Sequence, residues 1–172
     1  MEAMKCLGAL LILAAAGLSA LKRLQDKRRC LEGCRSAASS LRLLRGELAA
    51  RSLPLGDAIA HTQQKGSGMG QKLMSRVSAR MSELGEMSFY EIWAEEAENS
   101  CHVLDPDALD EIKGLGAMLG SFDLEMQLQS LDAVIAYLEA LWEQQRGAYP
   151  AQRRLLLSVY LAMSCFLVIL LL

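Results

Sequence analysis

Five cysteines and two histidines are the side chains here with the most chemistry to offer. Cys30 and Cys34 stand one helical turn apart, and Cys101-His102 supplies two further donors. The four compose a Cys3His set of the kind that binds zinc, and the three thiols would equally suit a small membrane-bound redox or metal sensor. A plainer reading outweighs both: Cys34 falls on an apolar stripe, and small buried cysteines are common in cores. No metal and no cofactor are therefore expected. His61 and His102 belong to no Ser-His-Asp, His-Glu-x-x-His or paired-carboxylate pattern. Glu95, Glu96 and Glu98 read as a solvated helix face. Gly66, Gly68 and Gly70, followed by Lys72, invite a phosphate-loop reading. That reading fails because no Gly-Lys-Ser/Thr triplet exists and no strand precedes it, so the run reads as an inter-helix linker. The pattern excludes an enzyme and a small-molecule substrate.

What must position these residues begins at the chain ends. Leu155 to Leu172 carries no charge and follows Arg153 and Arg154. Eighteen helical residues rise about 27 Å, close to the roughly 30 Å of a bilayer's hydrocarbon. Cys6 to Leu21 is apolar but for Ser19 and, at about 24 Å, is short for a span. A cleaved signal peptide is its rival, with Leu18-Ser19-Ala20 as a faint cleavage site. The dense positive charge after the run, at Lys22, Arg23, Lys27, Arg28 and Arg29, favours a retained span with its basic side in the cytoplasm. Arg153 and Arg154 give the same answer for the second run. The expected organisation is a transmembrane helix at 6–21, a cytoplasmic helical domain at 22–154 and a transmembrane helix at 155–172, in the cell membrane with both termini outside.

Charge divides the middle. Residues 22–80 hold 13 basic and 4 acidic side chains, and residues 81–145 hold 1 basic and 15 acidic. Such a chain either packs one half on the other or shows two faces to two partners. The basic cluster Lys22 to Arg29 suits anionic lipid headgroups, worth about 1 kcal/mol per residue near the surface, or an acidic partner. Nucleic acid is not expected, because the rest of the domain is acidic. Cysteine usage fits a reducing compartment.

No stretch of the middle reads as a strand. Leu31, Cys34, Ala38, Leu41, Leu44 and Leu48 mark a long amphipathic helix continuing out of the first span. Pro54 opens a short helix with Leu55, Ala58, Ile59 and Thr62 on one side. Leu73, Val77, Met81 and Leu84 mark a third, ended by Gly85. Ser88 and Glu91 form a capping box, with Met87 and Ile92 as a staple, for a fourth that carries Trp93 as a core anchor. Asp105-Pro106 is an N-cap and first-turn pair for a fifth, with Gly120 at its C′ position. In the sixth, Leu124, Leu128, Leu131, Ile135, Leu138 and Trp142 form a heptad seam, and Gly147 with Pro150 predicts a bend beyond it. The fold class is all-α: a membrane-anchored bundle of about six cytoplasmic helices between two transmembrane helices. The first and last helices should run antiparallel, with Arg35, Arg42 and Arg45 facing Asp132, Glu125 and Asp123.

One set of residues resembles a family. Pro54-Leu55-x-x-Ala58, Trp93 and the stretch Leu115-Gly116-x-x-Leu119-Gly120-x-x-Asp123-x-x-x-Gln127, between apolar ends, resemble the stage III sporulation protein AB family. The soluble part of that family is similar to the cytoplasmic helical domain of type II secretion inner-membrane platform proteins. The resemblance implies a non-enzymatic scaffold of a channel apparatus in engulfed-forespore development. Its partners would be the membrane, other sporulation channel proteins and a secretion-type ATPase, on the mother-cell side, and a homo-oligomer is compatible with it. Within the motif, Gly116 and Gly120 are expected to allow close helix approach and Asp123 to cap the last helix.

Overall fold

The computed structural model describes the backbone of residues 2–51, 53–121 and 123–171, with side chains at 17–19, 21–50, 53–121, 123–147 and four positions beyond. Among these residues the regular structure is helical: α1 Glu2–Arg51, α2 Leu55–Lys65, α3 Gly68–Arg80, a 3-10 turn Met81–Glu83, α4 Phe89–Cys101, α5 Pro106–Leu119 and α6 Leu124–Leu171. The chain divides into a unit of residues 30–143 and a second unit made of residues 1–29 and 144–172. Among the described residues no helix is long and apolar enough to cross a membrane. The expected spans at 6–21 and 155–172 have mostly side chains that lie outside the described set.

Within residues 30–143, apolar side chains at helical spacing close one core. Cys34, Leu41, Leu44 and Leu48 of α1 are buried in it with Ile59, Leu73, Met74, Val77, Trp93, Ile112, Leu115, Leu119, Leu131 and Leu138. The heptad seam of α6 is buried through Leu131, Ile135 and Leu138, while Leu124 at its start is 38% exposed. Helices α1 and α6 run antiparallel in this unit. Arg45 bonds Asp132 at 2.8 Å, Arg42 pairs with Glu139, and the Arg35 guanidinium lies 5.9 Å from the Trp142 ring centroid.

That register differs from the expected one. Arg45 meets Asp132 rather than Asp123, and Arg42 meets Glu139 rather than Glu125, because the last turns of α1 lie beside the first turn of α6. Leu48 and Leu124 line one groove there. Gly147 and Pro150 do not interrupt α6, which is continuous from Leu124 to Leu171. Proline removes one intrahelical donor, a local loss that the bonds on either side can outweigh.

The glycine run is not a plain linker. Helix α3 begins at Gly68 (φ +65°), and Gly70 lies buried inside its first turn. A Cβ on Gly70 would stand 2.5 Å from Ser40 Oγ and 2.6 Å from the Ser36 carbonyl oxygen, so the small residue lets α3 seat directly on α1. Ser36 completes the joint: its hydroxyl donates to the Ser67 carbonyl at 2.5 Å and accepts from the Gly70 amide at 3.1 Å. An amide at the start of α3, which lacks an intrahelical acceptor, thus finds one on another helix.

Candidate functional site

The motif residues meet where α4, α5 and α6 join. The Ser88 hydroxyl accepts from the Glu91 amide at 3.2 Å, and the Glu91 carboxylate accepts from the Ser88 amide at 2.8 Å, closing the capping box of α4. Of the expected staple, Ile92 is buried while Met87 is half-buried, its sulfur beside Arg80. One turn on, Trp93 is fully buried, its ring 5.8 Å from that of Phe89 and its indole N–H donating to the Ile112 carbonyl at 2.6 Å. Gly116 lies one turn beyond Ile112 on α5. A Cβ there would stand 2.6 Å from Trp93 Cδ1, so the indole occupies the space a side chain would need.

Gly120 is different. It caps α5 with φ −74°, a right-handed conformation, and a Cβ would meet nothing closer than 3.5 Å. The expected close approach at Gly120 is absent, because the nearest atoms to a Cβ there, the Gly116 carbonyl oxygen and Phe89 Cβ, stand 3.5 and 3.7 Å away. Asp123 Oδ1 accepts from the amides of Glu125 (2.9 Å) and Met126 (3.4 Å), placing its charge at the positive end of α6. The buried Gln127 amide donates to the Leu119 carbonyl at 2.9 Å and to the Ser121 carbonyl at 2.5 Å, tying the end of α5 to the start of α6. Leu115 and Leu119 are buried in the core. Pro54 lines one groove with Leu119, Gly120 and Gln127. It is the N-cap of α2, its carbonyl accepting from Ala58 at 3.0 Å; Ala58 is buried and Leu55 half-buried.

The charged groups are organised around Arg80. Its guanidinium bonds Glu83, Glu95 and Glu96 at 2.8–3.0 Å, while Arg76 reaches Glu96 at 3.2 Å. Glu83, then Glu95 and Glu96, stabilise the charged guanidinium and raise its pKa; Arg80 in turn holds Glu83 below its ordinary value. Reading Glu95, Glu96 and Glu98 as one solvated face is therefore wrong for Glu96, which is 6% exposed. It follows Ile92 and Trp93 by four and three residues and so turns inward with them. The sequence signal for this hub was Arg76 and Arg80 one turn apart on α3. Only the packing of α3 on α4 aims them at Glu96. Glu95 and Glu98 are exposed, the first bonded to Arg80 and the second to Lys113.

Cys30, Cys34 and Cys101 are buried free thiols. A hydrogen bond from Cys34 lowers the Cys30 pKa, and the same bond with burial raises that of Cys34. Burial pushes Cys101 up to about 12. Asp105, at the N-cap position of α5, makes no side-chain cap bond and lies close enough to Cys30 to influence its thiol. The four-ligand set is not assembled: among the described residues no three Cys, His, Asp or Glu side chains converge as a metal site. His102 contacts the Asn99 carbonyl of its own helix, and His61 lies 3.4 Å from the Glu47 carboxylate, which Lys65 also bonds. Lys22, Arg23, Lys27, Arg28 and Arg29 are exposed on α1, in the other unit.

These features define a class: an all-helical bundle whose polar side chains at this corner join helix to helix. Residues 5–172 match the family model described as stage III sporulation protein AB. The chain belongs to the stage III sporulation protein AB family, which places it among sporulation proteins. A solved structure titled stage III sporulation protein AB (SpoIIIAB) is similar with a TM-score of 0.62, covering 71% of this chain and 97% of that one. At 19% identity that likeness concerns the fold. No curated protein matches the chain.

Proposed function

We propose that this chain is a non-enzymatic membrane scaffold of a sporulation channel or secretion-like apparatus, linking a cytoplasmic secretion-type ATPase to membrane components during engulfed-forespore development. Residues 6–21 and 155–172 span the cell membrane, and residues 22–154 face the mother-cell cytoplasm. The observation that carries the anchoring is the state of the chain ends: Leu18, Leu21, Val159 and Met163 are 69, 59, 58 and 53% exposed. Apolar surface of that kind is at rest in lipid and costly in water. The exposed cations from Lys22 to Arg29 support a cytoplasmic placement for the helical bundle. A scaffold reading is supported by the use of Trp93, Glu96, Asp123 and Gln127 in joints between and at the ends of helices.

Two measurements test the reading on the full chain. Alkaline carbonate should leave it in the membrane pellet, and release into the supernatant would falsify the anchoring. Affinity purification from membranes of sporulating cells should recover a secretion-type ATPase or another channel component. Recovery of neither overturns the scaffold role.

The Cys30–Cys34 hydrogen bond favours a second reading, a redox or metal sensor that uses Cys30, Cys34 and Cys101. Because Cys34 and Cys101 are buried among apolar side chains, alanine is the cleaner replacement. A scaffold with all three changed to Ala still supports sporulation, and a sensor does not.

A further inference from the structure

At one end of the 30–143 unit the closing helices leave an open apolar groove of about 570 Å³. Its floor includes Leu48, Leu55, Phe89 and Leu119, the ends of four different helices. On its rim stand Leu84, 44% exposed, and Leu124, 38% exposed. A single exposed leucine carries no message. Two of them rimming one groove form a continuous apolar surface of the sort that marks an interaction site.

Leu84 is also held in place. Its amide donates to the Met81 carbonyl at 3.3 Å, and the Glu83 carbonyl accepts from Glu86 and Met87, each at 3.1 Å. Gly85 turns the chain at φ +116°, and Arg80 clamps the Glu83 carboxylate. The turn thus presents Leu84 outward while its backbone bonds are made. The lining itself is uncharged, and the residues next to it in the chain are mostly acidic. Glu86 follows Leu84 by two residues, Asp123 and Glu125 flank Leu124, and Asp57 follows Gly56, while Glu83 is paired with Arg80.

We infer that this groove docks a basic amphipathic segment of a partner protein, one that sets an apolar side chain between the rim leucines and lysines or arginines against the surrounding carboxylates. Helix-in-groove recognition works this way: apolar anchors supply affinity, and complementary charge supplies register and rate. A second copy fits less well: its residues 81–145 are acidic too, and of its basic half Arg42, Arg45, Arg76 and Arg80 are already paired with carboxylates of their own chain. The inference rests on the scaffold reading and adds to it the surface and chemistry of one contact.

The test places a photo-crosslinking p-benzoylphenylalanine at position 84 or 124 of the full chain in sporulating cells. Positions 90 and 137, exposed tyrosines outside the groove, serve as controls. The expected result is a crosslink at 84 and 124 to one protein, through a segment with an apolar residue within about one helical turn of lysine or arginine. Glu86→Lys with Glu125→Lys, both exposed positions, should lower its yield roughly threefold or more and weaken its salt dependence. Crosslinking at 84 or 124 to lipid, to a second copy or to a segment without basic residues overturns the groove inference. So does a yield unchanged by the charge reversals. Crosslinks to another protein at 90 or 137 with none at 84 and 124 overturn the groove but leave the scaffold standing. No crosslink to another protein at any position removes both.

Discussion

At the scale of single residues, the two motif glycines separate. Gly116 faces the Trp93 indole with no room for a Cβ, whereas Gly120 sits in an ordinary right-handed conformation where a Cβ would make only ordinary contacts, at 3.5 Å and beyond. Gly116→Ala should therefore lower stability by roughly 1–3 kcal/mol, as overpacking does. Gly120→Ala should stay within about 0.5 kcal/mol of the parent. Chemical denaturation of both variants checks the pair, and equal losses would contradict this geometry. Titration gives a second residue-scale prediction. The Arg80 guanidinium depresses Glu83 from its ordinary 4.5, and the Ser88 amide and then its hydroxyl depress Glu91 from the same value. A carboxylate lowered on folding stabilises above its unfolded pKa, and that contribution is lost as pH falls through the folded value. Melting temperature should fall as pH drops below about 4.5, and Arg80→Gln should flatten the part due to Glu83. An Arg80→Gln curve parallel to the parent's would rule out that assignment.

Among the elements, the corner between α5 and α6 was the most legible in sequence. Asp123 reads as a cap from its place before an acidic first turn, and the structure adds the two amides it receives. Gln127 did not read as a tie, because its partners are carbonyls six and eight residues earlier that only the reversal of direction brings within reach. Gln127→Ala leaves those carbonyls without their donor and should cost about 1–3 kcal/mol. Asp123→Ala should cost about 1 kcal/mol. Hydrogen exchange should show the loss first in the opening turn of α6; uniform loss across the bundle would argue against a local tie. The same limit explains the glycine run. Gly66, Gly68 and Gly70 look like a linker to any local reading, since the surface that needs Gly70 to be small is Ser36 and Ser40 on a distant helix. Gly70→Ala should loosen α3 from α1 and lower the melting temperature, where Gly46→Ala, with nothing within 4 Å, should not.

Over the whole molecule, orientation is the property that charge decides. If the proposed membrane placement holds, replacing Lys22, Arg23, Lys27, Arg28 and Arg29 with Gln should remove about 1 kcal/mol of headgroup attraction per residue and weaken the positive-inside signal. Protease added to intact cells should spare the bundle of the parent chain and cut a fraction of this variant. Digestion of the parent under those conditions would overturn a cytoplasmic bundle.

Sequence by itself determined the helical class, four helix starts and most of the core, because 3.6-residue periodicity, a capping box and prolines are local properties of the chain. Family membership was legible for the same reason, as a fixed spacing of small, polar and apolar residues around Trp93 and Gly116. Tertiary structure decided the register of α1 against α6, the burial of Glu96 between two arginines, the seat of Gly70 and the groove edged by Leu84 and Leu124. Each of these depends on which surfaces meet between residues 16 or more positions apart in the chain, and local spacing does not specify that distance in space.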